Sequence, residues 1–230
     1  MSVSEVLSSP TEAAEAVAAH STVEEQPRTR KRPKPGERRE QILQALAGML
    51  EKPGSDRITT AALAANLSVS EAALYRHFAS KAQMFEGLIE FIEQSVLGLI
   101  QQVLGRDGEV VVEMTPEDGA RRAARIVALV LQFAERNPGM VRVLVGDALL
   151  LEHDRLQVRM NQFFDRIEST LRQCLRPAAG ALGSVTPTVE AQVAASVLMS
   201  FVQGRLQRYV RTGFRRQPTE HLDASLAMLL

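Results

Sequence analysis

A chain of 230 residues has room for one or two domains, and its 27 Lys and Arg balance 27 Asp and Glu to a formal net charge of zero. Hydrophobic residues make up 45% but aromatics only 4%, with no Trp, so the core must be aliphatic. The single cysteine, Cys174, excludes a disulfide framework and any cysteine-based zinc site, and reads as a small hydrophobe within a helix.

No stretch approaches the roughly 18 uninterrupted apolar residues of a membrane span; the longest candidate, residues 126–131, stops at Gln132. The N-terminus has no basic segment followed by an apolar one, so no secretory leader is expected and the protein is expected to be soluble and intracellular.

The zero total hides an uneven distribution. Residues 1–26 carry Glu5, Glu12, Glu15, Glu24 and Glu25 without a Lys or Arg, a charge of −5. Residues 27–39 set seven Lys and Arg against Glu37, a charge of +6, punctuated by Pro27, Pro33 and Pro35. Neither part can bury enough apolar surface to offset its ordering entropy, so residues 1–36 are expected to be a disordered acidic tail and basic arm. The arm is either a solvated linker or a strand of charge that lies along phosphates or in a minor groove.

From Glu37 onward the pattern is helical. Ile42, Leu43, Leu46, Ala47, Met49 and Leu50 recur at spacings of three and four and predict a first amphipathic helix, ended by the run from Lys52 through Pro53 and Gly54 to Ser55. Two short helices are predicted at about 59–66 and 70–77, then a long one capped by Ser80 and reaching about 104. On that long helix Phe85, Ile89, Ile92, Val96, Leu99, Ile100 and Val103 form the core stripe, and Phe91 falls about 120° away from Phe85. A large aromatic off the core face is either half-buried against another helix or a docking anchor.

Residues 105–116 read as a loop containing a possible short strand at 110–112. Further helices are predicted at 117–137, 139–150, 152–176, 187–213 and 218–229, with breaks at Pro138-Gly139, residues 177–187 and Pro218. The expected fold class is all-α.

The two short helices carry the chemistry. Joined by a three-residue turn, Leu67-Ser68-Val69, they have Ala64 at the crossing point and Leu63, Leu67, Val69, Leu74 and Phe78 at packing positions. That is the helix-turn-helix layout, whose second helix enters the major groove by its N-terminal end. Thr59 would cap the first short helix and Ser70 the second, each leaving backbone N–H groups where a phosphate can sit, and Thr60 counts with them as DNA-facing. Glu71, Ala72 and Ala73 would face base edges, the alanines toward thymine methyls and Glu71 toward a cytosine amine. Tyr75, Arg76, His77 and Lys81 would supply donors to the DNA backbone; alternatively Tyr75 and His77 pack the head and Arg76 is solvated.

This three-helix head before a long helical body resembles the TetR family of dimeric DNA-binding proteins. The run from Ser70 to Phe78 with Ser80-Lys81, the segment Leu88-Ile89-Glu90-Phe91-Ile92-Glu93, and Glu135-Arg136-Asn137-Pro138-Gly139 are similar to its nucleoid occlusion branch in particular. So are Asp154-Arg155-Leu156-Gln157, Asn161-Gln162, Arg166-Ile167-Glu168 and Leu171-Arg172-Gln173. The likeness runs from about residue 37 to 218.

The resemblance implies a helix-turn-helix domain over 37–80 and a helical regulatory and dimerisation domain over 81–230. It implies double-stranded chromosomal DNA with palindromic sites as one partner, a second copy of the chain as another, and the C-terminal tail of the division protein FtsZ as a third. The tail would lie in a groove between the first two body helices, at Phe91, Leu129, Arg136 and Asn137; Arg136 and Asn137 could instead simply close their helix before Pro138. Leu99 stands where the branch carries an arginine and Gln132 where it carries a glycine, implying a less basic and narrower groove. Ser68 replaces a glycine common at the helix-turn-helix corner and must tolerate a left-handed backbone, at about 1 kcal/mol.

The last long helices, 189–210 and about 220–229, would form the dimer contact. Val193, Val197, Leu198, Phe201, Val202 and Leu206 offer the apolar face for it, or else cover the monomer core. The implied place is the cytoplasm, on the nucleoid. No cofactor is expected, and neither is catalysis: a glycine-rich phosphate loop, a usable nucleophile set and metal-spaced ligands are all missing from the sequence. The other reading is a repressor whose body holds a small-molecule pocket.

Overall fold

The computed structural model describes residues 36–52, 58–105, 115–181 and 185–230. The expected acidic tail and most of the basic arm, the stop at Pro53–Ser55 and the possible strand at 110–112 lie outside the described residues. Every regular element among those described is helical. In chain order these are α1 (Glu37–Leu50), α2 (Thr60–Asn66), α3 (Glu71–Tyr75), α4 (Lys81–Gly105), α5 (Pro116–Arg136), α6 (Pro138–Leu144), α7 (Asp154–Ala181), α8 (Pro187–Arg211) and α9 (Leu222–Leu229).

Local chemistry sets most of the starts. Thr59 Oγ1 accepts from the Ala62 N–H at 3.1 Å, Ser70 Oγ from the Ala73 N–H at 3.3 Å and Ser80 Oγ from the Gln83 N–H at 3.2 Å, so the expected caps are in place. At the head of α5, Thr115 caps Asp118 N–H at 3.1 Å, Pro116 takes a first-turn position, and Glu117 and Asp118 meet the positive end of the helix dipole.

Between α2 and α3, Ser68 has φ 55, the left-handed backbone expected of it. The Ser68 N–H bonds to Ala65 O and the Val69 N–H to Ala64 O, which is the Schellman closure of α2. Gly213 and Phe214 close α8 in the same way, through Val210 O and Tyr209 O.

Three expectations about the body are corrected. The helix predicted to stop at 176 continues through Pro177 to Ala181. Proline removes one backbone donor, and the carbonyl it leaves unpaired belongs to Gln173, which is exposed to water. The helix predicted over 139–150 is α6 followed by a 3₁₀ turn, Asp147–Leu149, because Gly146 takes φ 86 between them. The last helix begins at Leu222 rather than 218, after a turn segment in which His221 also has positive φ.

The core is mainly aliphatic, as expected from the composition, with a few phenylalanines such as Phe78, Phe85 and Phe163 fully buried in it. Ile92, Val96 and Ile100 of α4 and Ile126, Val127 and Val130 of α5 are all buried, with α7 contributing Phe163, Ile167 and Leu171. On α8, Leu198, Val202 and Leu206 belong to this core, so half of the face expected to make the dimer covers the monomer instead. Polar side chains bind α7 to α8: Arg172 donates to Gln192 at 3.1 Å, and Gln192 donates to Glu168 at 2.6 Å.

A DNA-reading head and a groove between α4 and α5

The head is held by Leu46, Leu50, Leu63, Ala64, Leu74 and Phe78, each at most 3% exposed. Burying Ala64 where α2 meets α3 leaves the opposite side of α3 bare. There Glu71, Ala72, Tyr75, Arg76 and His77 are exposed and Ala73 is half-buried, so these expected site residues are accessible to solvent. Thr59 and Ser70 are exposed beside them and Thr60 is partly so.

Hydrogen bonds order this surface. Thr60 Oγ1 donates to Glu71 Oε2 at 2.6 Å, and the Tyr75 hydroxyl reaches Thr60 Oγ1 at 3.5 Å. One oxygen of the Glu71 carboxylate, Oε2, is therefore engaged within the head. Arg39, which entered the sequence reading only as charge, lies 4.2 Å over the Phe78 ring and donates to His77 O at 3.2 Å. It fastens α1 to the end of α3; its spacing in α1 contains no signal of that contact. Lys81 differs from the other expected donors. Its ammonium is paired with Glu152 in the turn before α7 and sits over the Phe85 ring, so it is not aimed outward with the reading surface.

Two glycines join head to body. A Cβ on Gly87 would lie 3.2 Å from Phe78 and 3.3 Å from Leu43, and one on Gly139 would lie 2.0 Å from the Ala47 carbonyl oxygen. The start of α4 and the start of α6 thus meet the same helix, α1, and α5 packs along α4. The N-terminal half of α4 is also clamped to α7: Arg155 pairs with Glu86 at 2.7 Å, and Arg159 forks onto Glu93 at 3.1 and 2.6 Å.

On the outer side of the α4–α5 pair, Phe91 is 47% exposed while Phe85 is 1% exposed, so Phe91 is off the core face as the wheel indicated. Leu129 is half-buried and Arg136 exposed on α5. Asn137 does something else: its side chain donates to Phe133 O at 2.8 Å and its backbone N–H to Ala134 O, closing α5 before Pro138.

Leu99, assigned to the core stripe, is instead 37% exposed. It lies at the edge of that stripe nearest Phe91 and lines an opening of about 290 Å³ between the helices. Gln102 and Val103 line it with Leu99, facing Arg125, Leu129 and Gln132 of α5. Of the four expected groove residues only Leu129 borders this opening; Phe91 and Arg136 continue the face about 10–12 Å nearer the head, by helix rise. A second opening, of about 480 Å³, lies among α6, α7 and α8, where Gln157, Asn161, Gln203 and Gln207 surround Phe164. Among the described residues no group of three or more His, Cys, Asp or Glu could hold a metal ion, and no helix is long and apolar enough to cross a membrane.

Comparison with known proteins covers both halves. Residues 42–88 match the family described as bacterial regulatory proteins, tetR family, and residues 117–230 the SlmA-like family described as Tetracyclin repressor-like, C-terminal domain. The nucleoid occlusion factor SlmA of Photobacterium profundum is 54% identical over 187 residues, 81% of this chain and 90% of that one. That of Idiomarina loihiensis is 50% identical over the same shares of the two chains. That of Vibrio cholerae serotype O1 is 48% identical over 193 residues, 84% of this chain and 93% of that one. Among solved structures, the TetR family transcriptional regulator PfmR from Thermus thermophilus superposes with a TM-score of 0.63 at 23% identity, over 82% of this chain and 96% of that one.

Proposed function

The chain belongs to the SlmA family of nucleoid occlusion factors within the TetR-like all-α regulators, and from that premise we propose how its surfaces divide the work. It is a DNA-binding protein of nucleoid occlusion. The α3 face reads DNA: Glu71, Ala72 and Ala73 meet base edges, while Tyr75, Arg76, His77, Ser70, Thr59 and Thr60 position the backbone. Lys81 joins them only by leaving Glu152.

The functional unit is a dimer on a palindromic site, at the nucleoid in the cytoplasm. The second copy packs on α8, where Val189, Val193 and Val197 form one outward row and remain about half exposed. Gly204 continues that row, and a Cβ there would meet nothing within 4 Å. The groove between α4 and α5 takes the C-terminal tail of FtsZ, with Phe91 as the apolar anchor. DNA fixes two such grooves side by side, which raises the local concentration of tails and disfavours ring assembly over the chromosome.

The observation that carries this reading is identity near 50% along body and head together, with Phe91 left bare while Phe85 on the same helix is buried. The test is fluorescence anisotropy of a labelled FtsZ C-terminal peptide titrated with the protein and with Phe91→Ala. Saturable binding, lost in the variant while DNA affinity stays normal, is expected. Absence of binding with and without cognate DNA would leave a TetR-type repressor. One observation favours that second reading, the amide-lined opening around Phe164. A small molecule acting there would change DNA affinity.

A further inference from the structure

The opening between α4 and α5 is apolar on most of its lining, through Leu99, Val103 and Leu129, and carries a single charge, Arg125. At about 290 Å³ it lies at the lower end of small-molecule sites and suits one or two side chains of a longer chain laid across it.

The charge at its edge is uncompensated. Arg125 is exposed, and among the described residues it has no ion pair or side-chain hydrogen bond. The nearby arginines are paired: Arg121, one turn earlier on the same side of α5, with Asp118, and Arg155 and Arg159 of α7 with Glu86 and Glu93 of α4. Arg125, Leu129, Gln132 and Arg136 fall at i, i+4, i+7 and i+11, within about 60° of one another on the helix. This stripe of α5 therefore carries Arg125 and Arg136 about 16 Å apart by helix rise, with Leu129 and Gln132 between them.

We infer that Arg125 is a specificity residue of the groove, its guanidinium capturing a carboxylate of an extended acidic peptide whose apolar side chain fills the space between Leu99, Val103 and Leu129. The inference rests on the reading of this face as the docking site of the FtsZ tail. Before binding, the guanidinium is hydrated and costs nothing. Once the peptide covers the opening, water leaves and the pair forms in a lower dielectric, where a planar fork onto a carboxylate is strongest. Arg125 thus selects for an acid next to the apolar anchor, a task distinct from that of Phe91.

The experiment is a double-mutant cycle by anisotropy. The folded full chain and its Arg125→Ala and Phe91→Ala variants are each titrated against the labelled FtsZ tail peptide, and against the same peptide with all its carboxylates converted to amides. Arg125→Ala should weaken binding of the native peptide about tenfold or more and leave the amidated peptide, already weak, unchanged; Arg125→Lys should recover part of the loss. Equal affinity of wild type and Arg125→Ala for the native peptide, with binding still lost in Phe91→Ala, would overturn the role of Arg125 and leave the groove standing. Equal losses for the native and amidated peptides would also overturn it, because the residue would then act through packing. Failure of the wild type to bind either peptide would overturn the groove reading, and this inference with it.

Discussion

Replacing Thr59 by Ala removes the hydroxyl that accepts from the Ala62 N–H, a cap worth about 1 kcal/mol. The buried head residues Leu63, Leu74 and Phe78 are untouched by that change, so the expected outcome is weaker DNA binding with helicity and cooperative melting retained. Loss of the circular dichroism signal would make Thr59 a folding residue instead. Cys174 offers a second residue-scale check. It is 1% exposed, and burial pushes its thiol above the ordinary value. Below the ordinary thiol pKa this burial contributes its full stability; as pH rises toward the raised folded value, the unfolded chain gives up its proton more readily and that stability is lost. A chromogenic disulfide reagent should therefore label Cys174 at the global unfolding rate at pH 8, and the melting temperature should begin to fall above about pH 8.5. Fast labelling of the native protein would contradict its burial.

At the scale of elements, the joints between helices are made by small residues and paired charges rather than by the helices' own periodicity. Gly139 is the tightest joint, since any side chain there runs into backbone, the Ala47 carbonyl, rather than into a flexible side chain. Gly139→Ala is expected to cost about 1–3 kcal/mol as overpacking. A chain of this size should lose roughly 2–4 °C of Tm for each kcal/mol, as calorimetry would read. An unchanged Tm would mean that α1 and α6 can part freely, and the head would then not be rigidly set on the body. The same logic explains Asn137. Its amide closes α5 onto Phe133 O, so it shapes the end of the groove instead of lining the opening. Leu99 brings no charge to the opening from α4, and the one charged residue that lines it, Arg125, comes from α5.

For the molecule as a whole, electrostatics are set by the order of its segments. The zero net charge is the sum of a −5 tail, a +6 arm and a nearly balanced remainder, so charges of opposite sign stand side by side at residues 1–26 and 27–39. A tethered acidic stretch can compete with phosphates for a neighbouring basic arm. Deleting residues 1–26 is expected to tighten DNA binding in anisotropy titrations at low salt, with the gain shrinking as salt rises. Equal affinity of the full and shortened chains at low salt would mean that the tail does not compete. The opposed charges also explain why an overall neutral protein can serve a nucleic acid: the balance is a property of the composition and not of any one surface.

Helix spans, caps and the exposed side of α3 were legible in sequence because each depends on residues three or four apart, which is the range over which a helix bonds and alternates its faces. Thr59, Ser70 and Ser80 cap as their positions indicated, Ser68 takes the left-handed corner, and Phe91 stands off the core. The exceptions are instructive. Pro177 and Gly146 acted against the expected boundaries, since a proline is tolerated where its orphaned carbonyl faces water and a glycine breaks a helix where a left-handed turn is needed.

What the tertiary structure alone decided are the long-range partners. Lys81 is drawn to Glu152 across 71 residues, and Thr219 to Glu135 across 84. Leu99 becomes the wall of an opening because of what α5 places opposite it, and half of the α8 face is spent on the monomer core. A local pattern fixes which way a side chain points from its own helix; which group meets it depends on how helices distant in sequence pack, and no spacing within one helix contains that information.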